Sequence, residues 1–319
     1  MKPAAFVFPG QGSQSVGMLD AWGEHPAVRQ TLAEASEALH EDLAALIHAG
    51  PKEALGLTTN TQPVMLVAGV AAWRVWRAEG GAEMAGQPVA LAGHSLGEYA
   101  ALVAAEALPL AVAAPLVRLR AQAMQDAVPV GQGAMAAILG LDSDKVQAGC
   151  AEASRTLAAG EVVEAVNFND PAQTVIAGSK AAVEKACEVL KGLGAKRALP
   201  LPVSAPFHSS LMKPAAERLK AALAQAPLVA PKIPIVNNID VAVESDPARI
   251  REALYRQAFG PVRWVECVRK LAALGAQAVI ECGPGKALTG MTKRIAPELH
   301  SAALYDPATL TEVKALLLS

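Results

Sequence analysis

The sequence predicts an α/β fold in which helices cover a parallel sheet and a small ferredoxin-like unit is inserted midway. Three observations carry this. Short apolar runs alternate with amphipathic stretches along most of the chain, the rhythm of strands joined by helices. Between residues 131 and 204 the order changes to β-α-β-β-α-β. Hydrophobic residues make up 52% of the chain but aromatics only 4%, so the apolar mass is Ala, Val and Leu, which suits helices packed on a sheet.

Taken in order, Ala4 to Phe8 reads as a buried strand stopped by Pro9-Gly10, and Ala27 to Leu39 and Val64 to Trp76 read as helices. Val89 to Ala92 is a short strand that runs into Gly93-His94-Ser95, with a helix from Leu96. In the middle, Ala134 to Leu139 is a strand and Ser143 to Thr156 a helix. Val162 to Val166 and Thr174 to Ala177 are strands, Ala181 to Leu193 a helix, and Arg197 to Val203 a last strand. The stretches 128–133 and 204–206 have the Pro and Gly content of hinges. The expectation is a small domain at 131–204 set into a larger one formed by 1–130 and 205–319. Towards the end, Ala278 to Glu281 is a strand, and Gly283-Pro284-Gly285 turns into a helix.

Charged residues are 18% of the chain and the formal net charge is −2, with no basic stripe and no run of five like charges. That argues against a nucleic-acid partner. The four cysteines, at 150, 187, 267 and 282, form no C-x-x-C pair, as expected of reduced thiols. The first apolar run is too short for a signal peptide and no stretch is long enough to span a membrane, so the expected location is the cytoplasm.

Gly93-His94-Ser95-Leu96-Gly97 fits G-x-S-x-G between a strand and a helix. Such a turn pushes a serine hydroxyl above the sheet edge, where the helix N-terminus favours a developing oxyanion. The bland alternative is a turn whose Ser caps a helix. Gly10-Gln11-Gly12-Ser13-Gln14 follows the first strand. It is either an ordinary turn or a source of a free Gln11 N–H beside the serine.

A nucleophilic Ser needs a base. Of six histidines, His25, His40, His48 and His300 read as surface or capping residues, and His94 as support for the turn. His208, in Ser-Ala-Pro-Phe-His-Ser at the junction of the two domains, remains, either as the base or as a packed structural residue. No carboxylate offers itself as a third member, since Asp240, Asp246 and Glu252 have no recognisable setting. A carbonyl or amide is then left to orient the His. On the helical stripe Leu116, Val117, Arg120, Ala123, Met124 and Ala127, Arg120 alone is charged. It must find either a buried acid or a substrate carboxylate that it can clamp.

Taken together, GQGSQ at 10–14, GHSLGE at 93–98, Arg120, GAMAAI at 133–138, NFNDP at 167–171, PFHSSLM at 206–212, RQ at 256–257 and GPGKALTGM at 283–291 resemble the malonyl-CoA:acyl-carrier-protein transacylase family, in order along nearly the whole chain. The resemblance implies an α/β-hydrolase-like core with an inserted ferredoxin-like subdomain. It implies Ser95 as nucleophile, His208 as base, the Gln11 and Leu96 amides as oxyanion hole, and Arg120 as the site for a malonyl carboxylate. By the same likeness the main-chain carbonyl of Gln257 orients His208, Asn167 lines the cleft beside His94, and Phe207 favours malonyl over methylmalonyl. Implied partners are malonyl-CoA and acyl carrier protein, the enzyme being a monomer without metal or cofactor. The rivals are a polyketide or malonate-decarboxylase acyltransferase, a lipase-type serine hydrolase, and a carrier-docking module without catalysis.

Overall fold

An unbroken apolar run makes strand β1 (Ala4–Phe8), buried at all five positions because its sheet is covered on both faces. Helices α1 (Pro26–Leu39), α2 (Leu43–Ala49), α3 (Lys52–Gly56), α4 (Thr58–Ala78) and α5 (Gly81–Ala85) lead to β2 (Leu91–Gly93). Then come α6 (Gly97–Ala104) and α7 (Leu110–Asp126). The middle unit comprises β3 (Gly133–Leu139), α8 (Ser143–Ser154), β4 (Val163–Asp170), β5 (Gln173–Ser179), α9 (Lys180–Gly192) and β6 (Arg197–Pro200). The chain finishes with α10 (Lys213–Gln225), β7 (Ile235–Val236), α11 (Pro247–Gln257), α12 (Trp264–Ala273), β8 (Ala278–Cys282), α13 (Ala287–Ile295), β9 (His300–Leu304) and α14 (Pro307–Leu318). The structure, a computed structural model, describes residues 1–203 and 205–319, with the backbone alone for Ala82 and Ala85. Ser204, in the expected second hinge, lies outside the described residues.

Two sheets result. The larger is wholly parallel, in the order β7-β2-β1-β8-β9. The smaller is antiparallel, in the order β4-β5-β3-β6, the ferredoxin-like arrangement. Phe6, Phe8 and Leu91 face a large apolar core with α4 and α7, while Val7 and Ala92 face a second one with α12. A separate core fills the space between the antiparallel sheet and its helices α8 and α9.

Four elements differ from expectation. Helix α4 begins at Thr58, six residues before Val64, because Pro63 forfeits only one backbone bond near the start of a long buried helix. Strand β2 pairs from Leu91 to Gly93 rather than from Val89, although Val89 N still donates to Ala4 O at 2.8 Å. Strand β6 stops at Pro200, since neither Pro200 nor Pro202 has an N–H for the ladder. Strand β4 runs on to Asp170 through two register shifts, and there it reaches the larger domain: Phe168 N donates to Val262 O at 2.9 Å and Val262 N to Val166 O at 2.8 Å. Those bulges re-aim Asn167 and Asn169.

No helix among the described residues is long and apolar enough to cross a membrane.

Candidate active site

The loops after β1 and β2 emerge side by side at the carboxyl edge of the parallel sheet, where His94 N donates to Phe8 O at 2.9 Å. The turn between them has no room for side chains at its glycines. A Cβ on Gly93 would lie 1.9 Å from the Gly97 carbonyl carbon, and one on Gly97 would lie 2.2 Å from Phe8 O. Ser95 sits between them at φ 54°, a left-handed conformation that costs about 1–3 kcal/mol in a non-glycine residue. The strain is held by Asn238, buried just after β7. Its Oδ1 accepts from Ser95 N at 2.8 Å and its Nδ2 donates to Gly93 O at 2.7 Å.

His208, at φ 66°, is the second strained residue of the site and only 4% exposed. Its Nδ1 lies 2.9 Å from the main-chain carbonyl of Gln257. A carbonyl can only accept, so Nδ1 carries the proton and Nε2 is left with its lone pair facing Ser95 Oγ at 2.7 Å. Burial, and secondly the nearby Arg120 guanidinium, push the imidazole pKa down to about 3, so the ring is neutral at any ordinary pH. The three acids weighed from sequence stand elsewhere. Asp240 and Glu252 face Arg256, and Asp246 caps α11.

Arg120 projects from α7 into the same space and is 2% exposed. Its Nη1 donates to Gln62 Oε1 at 2.6 Å, and its Nη2 to Ser95 Oγ at 3.0 Å and Gln257 Oε1 at 3.1 Å. All three acceptors are neutral, and Nε is buried without a partner among the described residues. Of the two alternatives left by the stripe, a buried pair with Asp or Glu is therefore not what the guanidinium makes. Arg118, two residues earlier, has the opposite setting and pairs with Glu41.

These groups line one cleft with Gln11, Leu96, His94, Asn167 and Phe207, walled further by Met124, Met135, Leu201 and Val203. Gln257 stands behind His208, fully buried. Among the described residues the main-chain N–H groups of Gln11 and Leu96 donate to no protein acceptor, so both can donate to an oxygen in the cleft. The Gln11 side chain is tied to Thr58 at 3.3 Å. His94 Nε2 donates to Asn169 Oδ1 at 2.8 Å and the ring packs on Trp264, so it braces the turn against β4. Asn167 Oδ1 is buried without a partner among the described residues. Among those residues no cluster of three His, Cys, Asp or Glu has the arrangement of a metal site.

Sequence reasoning missed four residues: Asn238, Gln62 and, though their motifs were quoted, Asn169 and Glu98. Gln62 carried no readable signal: it ends the polar opening of α4, Thr58-Thr59-Asn60-Thr61-Gln62, ahead of the apolar run, and becomes visible only as the partner of Arg120 on α7.

An acyl transferase domain family matches residues 5–309 of the chain. The malonyl CoA-acyl carrier protein transacylase of Salmonella typhimurium is 53% identical over 312 residues, covering 98% of this chain and 98% of that protein. Among solved structures, an acyl-carrier-protein S-malonyltransferase from Burkholderia pseudomallei is 63% identical with TM-score 0.94, over 99% of this chain and all of that one, 100%. A malonyl-transacylase solved in complex with its type II polyketide acyl-carrier protein is 48% identical with TM-score 0.93, over 98% and 99% of the two chains.

Proposed function

The chain belongs to the acyl transferase domain family, and from that premise we propose that it moves a malonyl group from malonyl-CoA to the phosphopantetheine thiol of acyl carrier protein by way of an ester on Ser95. The observation that supports this most is the convergence on one hydroxyl: Ser95 Oγ lies 2.7 Å from a neutral His208 Nε2 and 3.0 Å from the Arg120 guanidinium, which is hydrogen-bonded to no carboxylate among the described residues.

The chemistry follows from that geometry. Malonyl-CoA enters with its free carboxylate on Arg120, which exchanges neutral acceptors for an anion. Ser95 Oγ attacks the thioester carbonyl carbon while its proton passes to His208 Nε2. The oxyanion forms between the Gln11 and Leu96 amides. The imidazolium is steadied by the Gln257 carbonyl rather than by an acid. The C–S bond breaks, His208 returns the proton to the CoA sulfur, and malonyl stays on Ser95. The carrier thiol then gives its proton to His208 and attacks the ester carbonyl, and the proton goes back to Ser95 Oγ. The thioester is already activated, so neither metal nor redox cofactor is needed. The product feeds fatty acid elongation. A reducing, cytoplasmic setting belongs to the same proposal and is supported by the four cysteines, all of them free thiols.

The test is transfer of labelled malonyl and labelled acetyl from CoA to holo carrier protein. Arg120→Ala is expected to lose malonyl transfer by about 100- to 1,000-fold, the scale of a lost transition-state donor, with a much smaller loss for acetyl. Equal losses would make Arg120 a structural residue.

A further inference from the structure

Among the described residues, Glu98 is the carboxylate buried directly behind this cleft, 3% exposed on the first turn of α6, and the transfer chemistry does not use it. Its Oε2 accepts from two residues at once, Asn238 N at 3.0 Å and Gln257 Nε2 at 3.0 Å. Asn238 is the residue that holds the strained Ser95 turn, and Gln257 is the residue whose carbonyl holds His208. The amide of Gln257 also fixes a polarity. Because an ionised carboxylate only accepts, Nε2 must face Glu98, where it also reaches Ser95 O at 3.0 Å, and Oε1 is left to face Arg120 at 3.1 Å. A flipped amide would set oxygen against carboxylate and N–H against guanidinium. Glu98 and Arg120 are thus opposite charges spaced by one amide.

We infer that Glu98 is a positioning and specificity-determining residue: its charge orients Gln257 towards Arg120 and, by partly offsetting the guanidinium, sets how strongly the site prefers a dicarboxylic half-thioester to a neutral acyl group. This rests on Arg120 being the carboxylate subsite. A second anion on Arg120 is repelled by Glu98 when Glu98 is charged and not when it is protonated. Burial, opposed by the hydrogen bonds from Gln257 and Asn238, raises the Glu98 carboxyl to about 7, so the two forms exchange near neutrality. The groups facing it from its neighbours are Arg120 on α7, Tyr99 beside it on α6, Asp240 after β7 and Cys267 on α12, with Glu244 across a small cavity. Burial holds Tyr99 up at about 12 and raises the Cys267 thiol as well, while the Arg256 hydrogen bond holds Asp240 low, so Glu98 is the group among these four that titrates near pH 7.

The sign follows. Below about 7 Glu98 is neutral and Arg120 acts undiminished; above it the carboxylate weakens the pull on malonyl. An acetyl group has no second charge and reports only the shared chemistry of Ser95 and His208.

The experiment measures the ratio of kcat/KM for malonyl-CoA to that for acetyl-CoA across pH about 5.5–8.5 in the unaltered enzyme, in Glu98→Gln and in Arg120→Ala. In the unaltered enzyme the ratio should fall about 5- to 30-fold as pH rises through neutrality, the size of a unit charge acting over roughly 8–10 Å in a partly polarisable interior. Glu98→Gln keeps an acceptor for both N–H groups and loses only the charge, so its ratio should be flat and match the acid limit of the unaltered enzyme. Parallel profiles in the two proteins would overturn the inference, as would a flat ratio in the unaltered enzyme, which decides the matter even if Glu98→Gln does not fold. Arg120→Ala separates the two levels. If it removes the malonyl preference while the pH profiles stay parallel, only the role of Glu98 fails; if it leaves the preference intact, the carboxylate subsite itself fails.

Discussion

The two walls of the cleft are built by opposite rules. On the wall carried by the parallel sheet, each atom that touches the Ser95 hydroxyl is fixed by a partner. Asn238 grips the turn, the Gln257 carbonyl grips the imidazole, and Gln62 and the Gln257 amide grip the guanidinium. Both non-glycine residues held at positive φ within the site, Ser95 and His208, belong to this group, which the proposed mechanism makes catalytic. The wall contributed by the antiparallel sheet and the segment that follows β6 is lined mainly by apolar side chains, Met135, Leu201, Val203 and Phe207, and its Asn167 Oδ1 has no partner among the described residues. The difference teaches where strain and polarity are affordable. Preorganised dipoles and a neutral base lower the barrier only if they do not move, whereas the facing wall excludes water and shapes the space for the acyl group. Changes on the first wall should then act on kcat, and changes on the second on KM.

The sharpest break of this contrast is at His208. His208→Ala should slow acylation by about 100- to 10,000-fold with little change in KM, read by stopped-flow release of CoA. A loss carried mainly by KM would erase the distinction between the walls. A middle-sized effect is expected at Asn238. Asn238→Ala leaves the buried Ser95 N–H and Gly93 carbonyl unpaired, a cost of about 1–3 kcal/mol. Its thermal midpoint should fall and its kcat drop about tenfold or more, while a normal kcat would mean that the turn holds its shape unaided. The smallest effect is on the opposite wall. Asn167→Ala should raise KM for malonyl-CoA about 2- to 10-fold, one hydrogen bond's worth, with kcat within about twofold. A collapse of kcat instead would move Asn167 into the catalytic group.

The same contrast explains what could be read from the sequence. Ser95 announces itself locally, because two glycines and a strand-to-helix switch sit within five residues. Arg120 does so because a charge interrupts an apolar helical stripe. His208 follows by exclusion, and the carbonyl role of Gln257 came only through family likeness. The antiparallel unit was legible because its strands and helices have regular periods. What stayed hidden is what depends on distant chain. Asn238 stands 143 residues from the amide it holds, and Glu98 becomes visible as a charge facing Arg120 only when Gln257, 159 residues away, is set between them. Nothing in the local pattern near 238 distinguishes that asparagine from an ordinary loop residue. The bulges of β4 were equally hidden, since they are irregularities of its pairing with β5 and coincide with a bridge from Asn167 to the distant Val262.

Covalent capture bears most directly on the central claim. The enzyme is mixed with malonyl-CoA without carrier protein, quenched in acid, and analysed by intact mass and peptide mapping. One malonyl adduct per chain is expected, on the peptide that contains Ser95, absent from Ser95→Ala and discharged when holo carrier protein is added before the quench. An adduct on another residue, or transfer to carrier at an undiminished rate by Ser95→Ala, would contradict it.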